Sequence, residues 1–248
     1  MKIIISPAKK MLQEEIIPHK QLPVFLKETE QLKRYLEGLS YDTLKKLLAC
    51  NDEIAALNYE RYQNMDLYKN LTPAILSYDG IQYQYMAPQV FEEAYFCYVE
   101  NHLRIISGFY GVLKPFDGIV PYRLEMQARL KTNFCKNLYD FWGDKLYREV
   151  KDDLILNLAS EEYAKTVRRH LEPGVRFVDC IFGELIDGRV KEKGVYVKMA
   201  RGEMVRFMAE NNIYALNDIQ QFDRLGFMYA KELSEENKFV FLKGAVSC

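Results

Sequence analysis

Hydrophobic and polar positions change period several times along the chain, and each change marks an element. The apolar run from Lys2 to Ile5 stops at Ser6-Pro7, which predicts a short buried strand opening into a loop that carries Lys9 and Lys10. Between Val24 and Leu36, Phe25, Leu32 and Leu36 recur among charges, as on an amphipathic helix that ends at Gly38. Ser40 reads as an N-cap ahead of Leu44, Leu47 and Leu48, and Asn51 or Asp52 as a second cap ahead of Ile54, Ala55, Leu57 and Tyr62. Residues 40–62 therefore predict a helical hairpin. Leu103 to Ser107 reads as a buried strand that enters a glycine-punctuated loop, Gly108-Phe109-Tyr110-Gly111. A helix is predicted around Phe141 to Val150, a strand from Asp153 to Leu158, and a helix capped by Ser160 and running through Lys165. Val175–Ile186 and Val190–Lys198 show strand-type enrichment around an Asp187-Gly188 turn, Met199–Asn211 reads as a helix, and Phe239–Leu242 as a last strand. No linker or repeat divides the pattern. It predicts one mixed α/β (α+β) domain over residues 1–248, a mixed sheet flanked by helices.

Composition narrows the class. With 49% hydrophobic and 28% charged residues, the 248-residue chain has material for a real core, and no apolar run nears the roughly 20 residues of a membrane span. A soluble, cytoplasmic protein without a membrane partner is expected. Net charge is -1, so attraction to nucleic acid would have to come from local clustering of basic residues. Five widely spaced cysteines (50, 97, 135, 180 and 248) and three histidines offer no disulfide framework and no metal-ligand spacing. Neither a metal nor a cofactor is expected.

Candidate chemistry concentrates in three places. The segment from Arg104 through Ser107, Tyr110 and Lys114 to Arg123 and Glu125 joins a strand, a glycine turn and two arginines. Backbone N–H groups in such a turn can cradle an anion, Arg104 and Arg123 can grip phosphate, and Glu125 can orient Arg123 or act as a base. A tight loop with a structural Arg–Glu pair explains the same residues. Residues 189–206 carry a net of four positive charges, with Lys198 and Arg201 on one helix face if the segment is helical. Lys165, Arg168, Arg169 and Arg176 against Glu172 add three more, and solvated surface charge accounts for both stretches equally well. The hairpin could meet phosphate through its turn, but the turn Leu48-Ala49-Cys50-Asn51-Asp52 has no glycine, which leaves Asn58 and Arg61 as its candidate contacts. An ordinary packed pair of helices is the alternative. Nucleotide-loop, hydrolase-elbow and zinc-protease motifs are missing from the sequence.

A set of blocks recurs in order along nearly the whole chain. They are Ile5-Ser6-Pro7-Ala8-Lys9, Asn58-x-x-Arg61, Tyr78-Asp79-Gly80, and the strand-and-loop segment from Leu103 to Pro115. Pro121-Tyr122-Arg123-Leu124-Glu125-Met126, Leu138-Tyr139-x-Phe141-Trp142-Gly143, Asn157-Leu158-Ala159-Ser160-x-Glu162-Tyr163 and Ala200-Arg201-Gly202-x-Met204-x-Arg206-Phe207 complete them. These blocks resemble the YaaA family, the peroxide-stress-resistance proteins of bacteria. The resemblance implies a role in resisting hydrogen peroxide, limitation of unincorporated iron, and DNA binding through a helix-hairpin-helix element and a basic cleft. Carried onto this chain, the hairpin is Ser40–Tyr62, and the cleft draws on Lys9, Arg61, Arg104, Arg123, Lys165, Lys198, Arg201 and Arg206.

Two functions fit these residues. The first is a stress protein that grips the backbone of double-stranded or branched DNA with little sequence preference, with Tyr83 and Tyr110 stacking on unpaired bases. The second is an enzyme acting on a nucleotide or another phosphorylated small molecule in the same cleft. There Glu125 or Asp79 would be the general acid/base, and Ser107, Tyr110, Asn157 and Ser160 the polar lining. Direct iron sequestration by carboxylates is a third reading.

Overall fold

Three consecutive isoleucines, Ile3, Ile4 and Ile5, are wholly removed from solvent at the centre of the molecule. A strand buried on both faces and flanked by parallel neighbours reads as an unbroken apolar run, and each such side chain contributes about 1.5–3 kcal/mol on burial. The computed structural model describes residues 1–13 and 17–244. The eight-stranded sheet contains β1 (Lys2–Ile5), β2 (Leu103–Ser107), β3 (Gly111–Leu113), β4 (Leu154–Leu158), β5 (Arg176–Ile186), β6 (Arg189–Lys191), β7 (Phe227–Tyr229) and β8 (Lys238–Lys243). Its order is β7-β8-β5-β4-β1-β2-β3, with β6 folded back on β5. The five strands from β8 to β2 run parallel, and β3, β6 and β7 pair antiparallel at the margins.

Nine helices are used below: α1 (Leu26–Glu37), α2 (Tyr41–Leu48), α3 (Asp52–Asn64), α4 (Ile81–Met86), α5 (Glu93–His102), α6 (Leu138–Trp142), α7 (Lys145–Val150), α8 (Glu161–Arg168) and α9 (Gly194–Glu210). Helix α5 packs on β1 and β2, while α9 packs on α4, α5 and β5. Helices α7 and α8 pair with each other.

The predicted strands at Lys2–Ile5, Leu103–Ser107, 153–158 and 239–242 are present, the third beginning at Leu154, as is the hairpin of α2 and α3. Ser40 Oγ accepts from Thr43 N at 3.4 Å and Asn51 Oδ1 from Ile54 N at 3.0 Å, which settles the second cap on Asn51 rather than Asp52. Three expectations are corrected. Residues 194–198 are helical, not strand, because α9 begins at Gly194 and leaves only Arg189–Lys191 to pair with β5. The helix expected from Phe141 to Val150 is two helices, broken where Gly143 takes φ 51°. Helices α4 and α5 stand where the pattern predicts no element. Cys248 lies outside the described residues.

Just past β3, Asp117 closes a turn: its Oδ2 accepts from Lys114 N at 2.8 Å and its Oδ1 from Gln21 Nε2 at 2.7 Å. Burial pushes this carboxyl up to about 6. An unfolded aspartate titrates near about 4, so between these values the folded chain holds the extra proton. The contribution of Asp117 to stability is therefore full below about pH 4 and is lost as pH rises through about 6. Urea unfolding across that window should show stability falling with pH by up to about 1.4 kcal/mol per unit, and a shallower slope in Asp117→Asn; equal slopes would rule this origin out.

Candidate functional site

Strands β1 and β4 lie side by side and parallel, yet the chain leaves them in opposite directions: β1 leads to β2 on one side, β4 to β5 on the other. In open α/β sheets this reversal leaves a crevice at the carboxyl ends of the two strands, where ligands bind. Here the two ends are tied by Ser6, which follows β1. Its Oγ accepts from Ser160 N at 2.8 Å and lies 3.2 Å from Ser160 Oγ. Ser160 occupies the N-cap position of α8, but its side chain faces Ser6 and does not close the helix, which corrects its expected role as a side-chain cap.

Above this pair opens a cleft of about 400 Å³ lined by Ser6–Lys10, Asp79–Tyr83, Tyr122–Glu125, Ser160, Glu162, Tyr163, Lys198 and Arg201. Glu125 is its hub, receiving Lys9 Nζ at 2.9 Å and Arg123 at 3.1 Å. Lys10 meets Asp79 at 2.5 Å, and hydrogen bonds from Lys10 and then Gln84 hold the Asp79 carboxyl below the usual range. Glu162 accepts from Gln127 N at 3.0 Å; burial, assisted by the charge of Glu125, pushes its carboxyl up. Arg201 differs from the other cations. It is half-buried, its Nε, like that of Arg123, is buried with no hydrogen-bond partner among the described residues, and, unlike Arg123, it forms no ion pair there. Burial lowers its pKa, with Glu192 and Asp179 acting the other way, and a guanidinium stays charged regardless.

Two close backbone approaches set this geometry. A Cβ at Gly202 would stand 2.1 Å from Gln82 O, so only glycine lets α9 lie against α4 and bring Lys198 and Arg201 to the cleft. A Cβ at Gly108 would stand 2.5 Å from Leu124 O, where the segment bearing Arg123 and Glu125 crosses the end of β2.

Of the sequence candidates, Lys9, Asp79, Tyr83, Arg123, Glu125, Ser160, Lys198 and Arg201 meet in this cleft. The others are placed elsewhere. Arg104 points back along β2 and donates to Glu100 O and Leu103 O at 3.0 and 2.7 Å, closing the carboxyl end of α5. The glycine loop after β2 is buried. Its amides of Phe109 and Tyr110 donate to Ser107 Oγ, which also meets Tyr122 Oη at 2.6 Å, so the expected anion cradle is internally satisfied. Tyr110 is wholly buried and Tyr83 is 3% exposed with its hydroxyl on Ser6 O, so neither offers a face for base stacking. Asn58 is buried against Ile54 O, and Arg61 reaches Asn58 beside a separate hollow near Met65 and Lys69. Arg206 is engaged by Glu210 at 2.7 Å. Lys165 lies over the Tyr139 ring at 4.2 Å, with Arg169 over the same ring. Asn157 accepts from Ala159 N and donates to Asp179 behind the cleft.

Ser6, Lys10, Glu162 and Tyr163 line the cleft without having been singled out as site residues; the available signal was their position just past a predicted strand. Among the described residues, no group of three or more His, Cys, Asp or Glu side chains could hold a metal ion, and no helix is long and apolar enough to cross a membrane.

A mixed α/β sheet with a charged cleft at its switch point defines the class. The chain belongs to the YaaA family: the model of the peroxide stress protein YaaA matches residues 1–233. Over nearly full length it is similar to UPF0246 proteins. It is 64% identical over 246 residues to one from Desulfitobacterium hafniense, covering 98% of each chain. It is 53% identical over 247 residues to one from Lachnoclostridium phytofermentans, covering 98% of this chain and 97% of the other.

Arg104→Ala should lower stability by about 1–3 kcal/mol in denaturant unfolding, by leaving the buried Leu103 and part-buried Glu100 carbonyls without their donor, and leave anion binding at the cleft unchanged. Gly202→Ala should cost about 1–3 kcal/mol despite alanine's better helix propensity, because α9 must lift from α4. A neutral effect would show that the helix contact yields freely.

Proposed function

We propose that this protein serves the peroxide stress response in the cytoplasm by holding the phosphate backbone of double-stranded or branched DNA, with limited sequence preference, and helps limit free iron. One observation carries the reading: the cleft does not end at the sheet. Glu125 also lines a neighbouring hollow formed by Lys46–Leu48 of α2, Ala49 and Gln127–Arg129. That hollow shares Gln127–Arg129 with a third, which adds Lys131, Lys136 and Tyr139. Along this path nine lysines and arginines face three carboxylates, on a chain whose net charge is -1. Such concentration of one sign focuses field along a groove and suits a polyanion longer than a metabolite.

The carboxyl end of α2 borders the groove, so the helical hairpin contributes Lys46 and the Ala49 turn rather than Asn58 or Arg61. Ala49 takes φ 46°, a conformation that glycine would adopt more readily. Its amide donates to Lys46 O, so the turn offers a side-chain cation more than a backbone cradle.

Fluorescence anisotropy of a labelled duplex over a range of salt tests this. Binding should fall steeply with salt, and Arg129→Ala/Lys131→Ala should weaken it for all sequences and flatten the log–log slope by about 0.9 for each phosphate no longer neutralised. Wild-type affinity in that variant would overturn the groove assignment. In cells, the same variant is expected to leave more chelatable iron after peroxide than the wild type.

A second reading, an enzyme acting on a phosphorylated small molecule, is favoured by the placement of Glu125 between Lys9 and Arg123 inside the cleft. There Glu125 would move a proton while Arg201 and Lys198 hold the phosphate. Absence of duplex binding, together with turnover of a phosphorylated metabolite that is lost in Glu125→Gln, would favour it.

A further inference from the structure

The groove accounts for a run of phosphates, but not for the shape and lining of its inner end. At the switch point the walls become largely apolar and aromatic, with Tyr83, Tyr122 and Tyr163 all nearly buried. Arg201 stands among them, its Nε buried and without a partner among the described residues. Leaving a buried donor unpaired costs about 1–3 kcal/mol, and native structures keep such donors where something else satisfies them. Lys198 lies three residues earlier, one turn away on the same helix face. A volume of about 400 Å³ is within the usual range for small-ligand sites and fits one nucleotide rather than a helix of DNA.

We propose that this inner pocket receives a single nucleotide unit, with its phosphate on Arg201 and Lys198 and its nucleoside against the tyrosine wall. The unit comes either free, as a nucleoside monophosphate, or from DNA as an unpaired nucleotide leaving the groove. The second source rests on the groove reading above. Planar two-pronged contact explains arginine at position 201, since a lysine would offer only a point charge. The proposal does not need the tyrosine rings to stack face-on with a base. They supply apolar wall, as in other ligand sites with a few convergent polar groups.

The probes are deoxyadenosine monophosphate, deoxyadenosine, inorganic phosphate, a covalently closed duplex, and the same duplex with one unpaired nucleotide. By calorimetry the monophosphate should bind at least about tenfold more tightly than either half alone, and Arg201→Gln should weaken it about tenfold or more. Lys198→Ala, at an exposed position, keeps the fold in case Arg201→Gln does not, and should weaken the monophosphate several-fold. If the unpaired-nucleotide duplex binds more tightly than the closed one, and Arg201→Gln removes the difference, the source is DNA. Monophosphate binding without that difference assigns the pocket to free nucleotides. A monophosphate no tighter than phosphate, or indifferent to both substitutions, overturns the proposal. Closed-duplex binding that survives in that case leaves the groove reading standing, and monophosphate binding without any duplex binding removes the groove reading alone.

Discussion

The contact between Ser6 and Ser160 holds the molecule's working end together. It joins the ends of the two parallel strands at which the sheet reverses its winding, one hydroxyl taking the backbone N–H of the residue ahead of α8. A sheet whose connections diverge from adjacent strands cannot cover that seam with either crossover, so a cleft there follows from the topology. What the sequence adds is chemistry around the seam: the loop after β1 brings Lys9, the turn after β4 brings Ser160, the first turn of α8 brings Glu162, and α9 delivers Lys198 and Arg201 from above.

Polar bonds add to hydrophobic packing in fixing this end. Ser107, Tyr122 and Tyr78 form a hydroxyl chain at 2.6 and 2.8 Å, and Ser107 also takes the amides of the loop that follows β2. Asn157, Asp179 and Arg168 form a second network at 2.7 Å distances under the cleft floor. Satisfied networks of this kind fix one arrangement of the elements that carry them, because any slip leaves several buried groups unpaired at once. They therefore hold Arg123, Glu125 and Ser160 in register for an incoming anion at little cost in reorganisation.

Local signals were legible in the sequence wherever the physics is local. The apolar run of β1, the caps Ser40 and Asn51, and the strand at 103–107 all announce themselves through periodicity or side-chain chemistry. The boundary near residue 194 was not legible, because Val195, Tyr196 and Val197 favour a strand by propensity while the contact of α9 with α4 decides for a helix. The site was half legible for a related reason. Arg123, Glu125, Lys198 and Arg201 could be named from charge, whereas Arg104 carries the same charge and sits at the opposite end of its strand, on the carbonyls of α5. Which end of a strand an arginine serves depends on rotamer and neighbours, and spacing does not encode it. Ser160 stands out by its hydroxyl and its place ahead of a helix, but Ser6 carries no charge to draw notice, and only the strand order makes the two partners across 154 positions.

The basic groove and the near-neutral chain are two aspects of one arrangement. Away from the groove, many cations are cancelled in place: Arg206 and Arg224 share Glu210, Arg168 divides between Glu161 and Asp179, and Lys193 meets Glu184. Exposed pairs of this kind contribute little to stability, so their physical effect is mainly to remove stray positive field from the remaining surface. The groove cations are paired only in part. Lys9 and Arg123 share the single Glu125, and Arg201 has no ion-pair partner among the described residues. An approaching phosphate thus finds a track where positive charge is only partly cancelled, and at its inner end a guanidinium whose Nε is already removed from water. A cation desolvated in advance gives up less on binding than a hydrated surface lysine, which makes position 201, rather than the more numerous exposed lysines, the place where affinity would concentrate.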